Sequence, residues 1–212
     1  EIKAIGDICR KHDLWIVCDE VYEELIFSGP FASPFDDPEL AERTVVVSSI
    51  SKSHAAPGFR SGWAVGPVEF ASRLLPVSET MLFGVQPFIA DMTAYALTHD
   101  IGTSATMRAA YKTRADLIVE GLSNVPGVSP LPPEAGMFTL IDVAGTGLTG
   151  EAFAWMLLEQ EHVAVMPGAS FGNEATSFVR VSLTVPDTVI QEACSRITRL
   201  AIRLQTPKER RA

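Results

Sequence analysis

The first part of the chain alternates between helical and strand-like patterns of apolar residues. The opening segment has the spacing of an amphipathic helix, with apolar side chains at Ile2, Ile5, Ile8 and Cys9. Residues 14–18 then form a short continuous apolar run, which is typical of a strand buried on both faces. A helix followed by such a strand is half of a βαβ unit, so the pattern predicts a parallel sheet. Residues 44–47 and 63–67 predict two further strands.

After residue 67 the pattern turns helical and then becomes mixed. Apolar spacing predicts helices within 68–75 and 87–99, and a helix over 105–122 that is long enough to bridge two domains. The segments that follow predict, in chain order, a strand at 136–142, a helix at 150–161, strands at 163–168 and 178–183, and a helix at 187–204. In the strand at 178–183, Val179, Val181 and Leu183 share one face and Arg180 lies on the other.

This change of pattern divides the chain near Gly102. We predict a sheet-containing domain over residues 1–102, a small α+β domain over 103–206 and a solvated basic tail over 207–212. We find no internal repeat that would suggest another organisation.

Composition narrows the class of protein. The 212 residues are 47% hydrophobic and 20% charged, as in a globular protein with a substantial core. A formal net charge of −9 argues against nucleic acid or an anionic membrane as the main partner. The sequence shows neither a membrane-spanning apolar segment nor a signal-peptide pattern, so we expect a cytoplasmic protein. Its three scattered cysteines, Cys9, Cys18 and Cys194, fit reduced thiols and suggest no disulfide framework and no metal site.

Chemistry-bearing residues follow the predicted strands. Ser49 and Lys52 come just after the strand at 44–47, and Arg60 follows Lys52 across a Pro-Gly turn. Asp19 and Tyr22 come at the end of the strand at 14–18. Ligands of open α/β sheets collect at this end of the strands. Two alternatives remain at this point: Lys52 and Arg60 are solvated loop residues, and Asp19 is a helix cap or turn residue.

The chemical needs of pyridoxal phosphate match this set of side chains. A lysine amine is mostly protonated at neutral pH, but a second cation nearby lowers the pKa of such an amine, which then condenses with an aldehyde. Pyridoxal phosphate supplies an aldehyde. It also needs an acid at the ring nitrogen, a guanidinium and hydroxyls at the phosphate, and a hydroxyl donor at the ring oxygen.

Three motifs in this order resemble those of the class I and II aminotransferases, which are fold-type I pyridoxal-phosphate enzymes. Residues 19–22 are similar to the family's D-E-x-Y, residues 49–52 to its S-x-S-K, and residues 58–62 to its G-x-R-x-G. Pro-Gly at 167–168, Phe-Gly at 171–172 and Arg180 in a Val-Arg-Val-Ser strand extend the resemblance. It implies an α/β fold, with part of the large cofactor-binding domain (a mostly parallel sheet with helices) followed by the small C-terminal α+β domain.

The resemblance also implies a role for each candidate residue. Lys52 would be the Schiff-base lysine and would move the substrate proton. Asp19 would pair with the pyridine nitrogen, Tyr22 would bond the ring oxygen, and Ser49 and Arg60 would hold the phosphate. Arg180 would bind the substrate carboxylate. Ser51 is an alternative to Ser49 at the phosphate, and we interpret His54 as a packed or hydrogen-bonded loop residue rather than an acid or base.

The implied activity is transfer of an amino group between an amino acid and a 2-oxo acid, in a protein whose full-length form is a homodimer. The segments 51–55, 81–84 and 136–138 look most like the arginine:pyruvate transaminase branch. The family's upstream half, with its phosphate loop, stacking aromatic ring and asparagine, has no counterpart here, so we expect the C-terminal half of such a chain. The alternatives are another fold-type I reaction, C–S lysis or decarboxylation, and a catalytically inert fragment.

Overall fold

The computed structural model describes residues 1–99 and 102–205. The chain forms two compact units and passes from the first to the second between Met107 and Arg108. The domain boundary that we predict near Gly102 stays a prediction about the family's domain division. The predicted basic tail, 207–212, lies outside the described residues.

The first unit is built on a small sheet. Its elements are α1 (Ile2–Lys11), β1 (Ile16–Asp19), β2 (Thr44–Ser49), α2 (Ile50–Ser53), β3 (Gly62–Val65), α3 (Val68–Leu82), α4 (Pro87–Thr98) and the start of α5 (Thr103–Leu122). The strand order is β1-β2-β3. β1 and β2 are parallel, as the βαβ pattern predicts, whereas β3 runs antiparallel to β2.

The core of the first unit lies on both faces of β2. Val45 and Val46 are buried on this strand, and Leu40 is fully buried just before it. The Thr44 hydroxyl donates to the Leu40 carbonyl at 2.9 Å, which fixes the turn that leads into the strand. α1 approaches the same residue closely, since a Cβ on Gly6 would lie 2.7 Å from the Leu40 methyl groups. A side chain at position 6 would therefore have to displace the Leu40 side chain.

The predicted burial of the first strand on both faces is wrong. Val17 of β1 is 70% exposed and the preceding Trp15 is 54% exposed, so the strand is not buried on both faces. β1 is an edge strand, and one of its faces is not covered by the described residues. In α1, Gly6 and Cys9 are buried instead of Ile5 and Ile8, because the helix rests on Leu40 through its glycine face.

The helices α3 and α4 contain no buried residue. Large apolar side chains are exposed along and between them, for example Phe83 at 93% and Phe88 at 65%. Neither these nor the other helices among residues 1–99 and 102–205 have both the length and the apolar character needed to cross a membrane.

The second unit is a four-stranded antiparallel sheet covered by helices. It contains the rest of α5, then β4 (Ser129–Pro130), β5 (Phe138–Asp142), α6 (Gly150–Glu161), β6 (Met166–Pro167), β7 (Phe178–Ser182) and α7 (Asp187–Gln205). The strand order is β4-β5-β7-β6. The strand predicted at 163–168 is reduced to the two residues of β6. Pro167, which lacks an N–H donor, ends this edge strand.

One face of this sheet forms the core of the second unit. The predicted alternation is confirmed: Val179, Val181 and Leu183 are buried, and Arg180 lies on the opposite face. Helical side chains complete the core, namely Tyr111, Ala115, Ile118 and Leu122 of α5, Phe153 and Leu157 of α6, and Ile190, Ile197 and Leu200 of α7.

A buried carboxylate links α6 to α7. Glu161 is only 5% exposed, and its two oxygens lie 3.2 Å from Arg199 Nε and 2.6 Å from Arg203 Nη1. Its backbone carbonyl accepts a hydrogen bond from Arg196 Nη1 at 2.8 Å. The last residue of α6 is thus bound by three arginines, on successive turns of α7.

We predict that Glu161→Ala lowers the free energy of unfolding by about 2 kcal/mol, because it removes two charge-assisted bonds at a buried position. Urea denaturation of the wild type and the variant measures the difference. The matched control is Glu192→Ala, since Glu192 pairs with Arg196 at 2.7 Å but is exposed. It should cost no more than about 0.5 kcal/mol. Equal losses in the two variants would contradict a special role for Glu161.

Candidate functional site

The candidate residues Asp19, Ser49 and Arg60 of the first unit lie at the same end of its three-stranded sheet. Asp19 is the last residue of β1 and Ser49 the last of β2, and the parallel register sets Asp19 opposite Val47. β3 runs the other way and begins with Gly62 opposite Ser49. Arg60, two residues before Gly62, therefore enters the sheet at the same end.

Gly62 explains the second glycine of the G-x-R-x-G motif. A Cβ at this position would lie 2.7 Å from the Ser48 carbonyl oxygen and 3.1 Å from the Ser49 Cβ. β3 must therefore approach the end of β2 more closely than a side chain allows. Gly58, the first glycine of the motif, has no heavy atom within 4 Å of a Cβ placed on it.

Asp19 presents an exposed carboxylate at the end of β1. Its Oδ1 accepts a hydrogen bond from the Val21 N–H at 3.1 Å, so one oxygen does act in a turn, as the alternative interpretation holds. A carboxylate has further acceptor capacity, and this bond leaves Oδ2 available for a ligand. Tyr22 follows half-buried, at the start of a 3₁₀ turn.

Lys52 lies on α2, a helix of a single turn. The Ser49 side-chain oxygen caps this helix by accepting the Ser51 N–H at 3.3 Å. Lys52 itself is half-buried. Within the described residues its ammonium group makes no hydrogen bond or ion pair, so the amine remains available for chemistry.

Hydrogen bonds hold the end of α2 beyond Lys52. His54 Nε2 lies 3.1 Å from the Ala96 carbonyl oxygen, and since a carbonyl only accepts, Nε2 carries a proton. His54 Nδ1 lies 2.8 Å from the Ser53 hydroxyl. The Ser104 hydroxyl donates to the Ser53 carbonyl at 2.6 Å. His54 is therefore hydrogen-bonded at both ring nitrogens and ties the helix that carries Lys52 to α4.

Arg60 has a left-handed backbone conformation, with φ of 53°. Its Nη1 donates to the Pro57 carbonyl at 2.8 Å, so the guanidinium folds back onto the Pro-Gly turn. The side chain remains exposed. A guanidinium has five donors, and this single bond leaves the others for an anion.

An acidic cluster that our sequence reasoning missed lies next to Asp19. Glu20 is 5% exposed and its Oε1 accepts the Ser33 hydroxyl at 2.5 Å. Burial raises the pKa of the Cys18 thiol to about 11, and the hydrogen bond to Glu20 and its negative charge add to the shift. Burial, together with the charge of Glu20, also raises the pKa of Glu23. The D-E-x-Y motif contains Glu20, but its contact with Ser33 joins residues too distant for a motif to reveal.

Arg180 belongs to the second unit. It lies on β7 opposite Leu140 of β5 and Met166 of β6, on the face of the sheet away from the core. Its guanidinium carbon lies 5.0 Å from the centre of the Phe138 ring and 4.7 Å from that of Phe171. Among residues 1–99 and 102–205, no carboxylate pairs with it.

Comparison with known proteins identifies the family. The model of the family described as aminotransferase class I and II matches residues 1–197. This chain belongs to the class I and II aminotransferases. The aminotransferase chain is 41% identical over 202 residues to the arginine–pyruvate transaminase AruH of Pseudomonas aeruginosa, a match that covers 95% of this chain and 51% of that protein. It is 34% identical to an aspartate aminotransferase of Musicola paradisiaca, over 86% of this chain and 46% of that one.

Solved aminotransferase structures share the fold. The aromatic aminotransferase from Pyrococcus horikoshii matches with a TM-score of 0.90 at 28% identity, over 95% of this chain and 55% of that one. The aspartate aminotransferase from Rhizobium meliloti matches with a TM-score of 0.84 at 29% identity, over 92% and 52%. The predicted family and its α/β fold-type I class are confirmed. The chain spans about half the length of the relatives it matches.

We predict that Gly62→Ala destabilises this aminotransferase chain by about 1–3 kcal/mol, because the new methyl group would collide with the end of β2. Gly58→Ala is the control within the same motif. It has open space and should leave stability unchanged or raise it by about 0.5 kcal/mol. Thermal unfolding compares the two, and equal melting temperatures would contradict the close approach of β3 to Ser48 and Ser49.

We also predict that Cys18 alkylates slowly. With a pKa of about 11, only ~0.1% of this thiol is ionised at pH 8, so its reaction with iodoacetamide should speed up about tenfold per pH unit from pH 8 towards pH 11. Glu20→Gln removes the negative charge beside the thiol, which lowers the pKa and should raise the rate at pH 8 by about two- to tenfold.

Cys194 is the internal control for this experiment. Burial raises its pKa to about 11 as well, but Glu20 has no part in that shift. Mass spectrometry of the alkylated peptides separates the two thiols. A Glu20→Gln variant in which both rates change together would indicate loosening of the whole fold rather than a local charge effect.

Proposed function

We propose that this chain carries the lysine-bearing part of a pyridoxal-phosphate-dependent aminotransferase, which transfers an amino group between an amino acid and a 2-oxo acid. The observation that carries the proposal is Lys52, a half-buried lysine with no anionic partner among the described residues, at the end of the sheet where Asp19 and Arg60 also lie. Family membership supports the same chemistry.

The residues at this end of the sheet fit the cofactor. Pyridoxal phosphate, when bound, supplies an aldehyde for an amine and a ring that accepts the electrons left at the substrate Cα. The sheet end offers an amine at Lys52, an acid at Asp19, and a hydroxyl and a guanidinium at Ser49 and Arg60. Oδ2 of Asp19, which the bond to Val21 leaves open, and the amine of Lys52, which has no partner within the described part of the chain, support this fit.

Four side chains other than Lys52 would bind and orient the cofactor. Asp19 would accept a hydrogen bond from the protonated ring nitrogen and so keep its positive charge. Tyr22 would donate to the ring oxygen. Arg60 would donate to the phosphate through the N–H groups that Pro57 does not occupy. Ser49 accepts a helix N–H and still has its hydroxyl proton to donate to the phosphate; Ser51 remains the alternative.

Lys52 would move a proton. Its Nζ would take the proton from the substrate Cα and deliver it to carbon C4′ of the cofactor, which requires an amine without a fixed hydrogen-bond partner. Its position on the single turn of α2, fixed at one end by Ser49 and at the other by His54, supports a well-directed amine.

Arg180 would bind the substrate α-carboxylate through two parallel N–H bonds. The absence of a carboxylate partner in the described chain and the aromatic rings beside its guanidinium support this role. For the substrates we propose arginine as amino donor and pyruvate as acceptor, since the 41% identical relative is named for that pair. We further propose that the complete protein acts as a homodimer in the cytoplasm. The exposed apolar faces of α3 and α4 support its assembly with further protein surface.

The proposal is tested by incubating the protein with pyridoxal phosphate, arginine and pyruvate and measuring the alanine formed. We expect Lys52→Ala to abolish the visible absorbance of the bound cofactor and to lower turnover by about a thousandfold, while Lys3→Ala, at an exposed position of α1, changes neither. Absorbance that survives Lys52→Ala would overturn the assignment of Lys52.

Product analysis separates the rival reactions. Pyruvate and ammonia released from a sulfur-containing amino acid without an added oxo acid would indicate C–S lysis, and release of carbon dioxide would indicate decarboxylation. The 212-residue chain and a chain extended to the full length of its relatives should both be assayed. If neither binds cofactor, the proposal fails.

A further inference from the structure

The segment 167–172, Pro-Gly-Ala-Ser-Phe-Gly, follows a backbone path that only glycine permits at two points. A Cβ on Gly168 would lie 2.1 Å from the Ala175 carbonyl oxygen and 2.7 Å from that of Phe178. Gly172 has φ of 133° and ψ of 163°, a region open essentially to glycine alone. The two glycines therefore fix the 3₁₀ turn between them, at whose end Phe171 lies.

This turn brings Phe171 to Arg180. The ring centre of Phe171 is 4.7 Å from the guanidinium carbon, within the range of a cation–π contact. Phe138 makes a second such contact at 5.0 Å. Because the strand order is β5-β7-β6, the two rings come from opposite sides of the strand that carries Arg180. The guanidinium is therefore held by ring faces from two separate parts of the chain.

The surroundings leave the donors of the Arg180 guanidinium available. Its cross-strand neighbours are Leu140 and Met166, which are both apolar. Ring faces attract a cation without using the N–H groups in strong hydrogen bonds. A carboxylate neighbour would orient the guanidinium equally well but would occupy the N–H groups that a ligand needs. The aromatic contacts therefore orient Arg180 while keeping its binding capacity.

We propose that residues 167–172 form a positioning segment whose Phe171, together with Phe138, holds the Arg180 guanidinium in the orientation that receives a substrate carboxylate. This inference rests on the proposed role of Arg180 in binding the carboxylate. It assigns a function to the Pro-Gly and Phe-Gly pairs of the sequence and makes Phe171 a positioning residue that acts through Arg180.

If Phe171 had a purely structural role, Phe171→Leu would lower the melting temperature and leave substrate binding unchanged. Phe171 is 55% exposed, so it contributes little to the core and its replacement by leucine should leave the melting temperature nearly unchanged. If Phe171 positions Arg180, the same replacement should instead weaken substrate binding. The two roles are thus separated by comparing stability with affinity.

The first experiment measures steady-state kinetics of Phe171→Leu in the complete enzyme. We expect KM for both the amino acid and the 2-oxo acid to rise by about two- to fivefold, which corresponds to the loss of one cation–π contact, with kcat nearly unchanged. Phe171→Tyr keeps the ring and should restore KM. The control is Phe31→Leu, since Phe31 is also an exposed aromatic residue, at 40%, but belongs to the first unit and makes no cation–π contact among the described residues. An unchanged KM in Phe171→Leu, or a rise equal to that in Phe31→Leu, would overturn the inference.

The second experiment needs no catalytic activity. Phenylglyoxal modifies accessible arginines, and mass spectrometry reports the extent at Arg180 with and without pyruvate. We expect pyruvate to protect Arg180 in the wild type and to require about two- to fivefold higher concentration in Phe171→Leu. Equal protection in both proteins overturns the positioning role and leaves the proposed function intact. No protection in either overturns both roles. If pyruvate protects Arg180 less well in Phe171→Leu than in the wild type, but the protein shows no transamination, the positioning role is supported and the proposed aminotransferase function fails.

Discussion

The parallel pairing of β1 with β2 is the constraint on which the candidate site of the first unit depends. It sets Asp19 opposite Val47, and the ladder continues one residue further because the Glu20 N–H donates to the Val47 carbonyl at 2.9 Å. Side chains alternate along a strand, so a slip of one residue would turn Asp19 to the other face of the sheet. Antiparallel pairing with β3 then carries β2 on to Ser49, opposite Gly62, and the single turn of α2 that bears Lys52 begins at the next residue. Because Gly62 has no side chain, β3 can pack closely against Ser48 and Ser49 at the end of β2.

The two cations central to the proposed chemistry are held in different ways, and the difference suits their roles. Lys52 is positioned through its helix, by bonds at Ser49 and His54, and its own amine stays unpaired within the described residues. An amine that must lose and regain a proton would be hindered by a fixed anionic partner. Arg180 is held by two ring faces, which attract a cation without occupying its N–H groups. In each case the contacts fix the position of the side chain and leave its amine or N–H groups available to a ligand.

Local periodicity in the sequence predicted most elements of the second unit, although it missed β4. The helix predicted at 150–161 has those bounds, and the alternation at 178–183 places Arg180 opposite the core. The burial of β1 was mispredicted because an apolar run does not reveal whether a strand has neighbours on both sides. The strand predicted at 163–168 was too long for a similar reason, since pairing with β7 covers only two residues.

In the candidate site, too, features encoded by neighbouring residues were predictable from the sequence, and contacts made by the folding of distant segments were not. Short motifs in the sequence pointed to Asp19, Ser49, Lys52 and Arg60 as candidate residues. This was possible because each of them lies close in sequence to one end of a strand. The motifs did not predict the bond of His54 to Ala96 or the contact of Phe171 with Arg180, since the former joins residues 42 positions apart and the latter depends on how a loop returns to the sheet. Contacts of this kind follow from the fold and not from short-range pattern.

The bond between His54 and Ala96 has a consequence for Lys52. α4 contains no buried residue, and side-chain hydrogen bonds from Ser61 to Thr93 at 2.7 Å and from His54 to Ala96 at 3.1 Å connect it to the β3 and α2 segments. Its apolar residues Phe88 and Tyr95 are more than half exposed. Any protein surface that buries these side chains would restrict α4, and through His54 would restrict the turn that carries Lys52. His54 thus joins the exposed helix α4 directly to the residue that follows the single turn carrying Lys52.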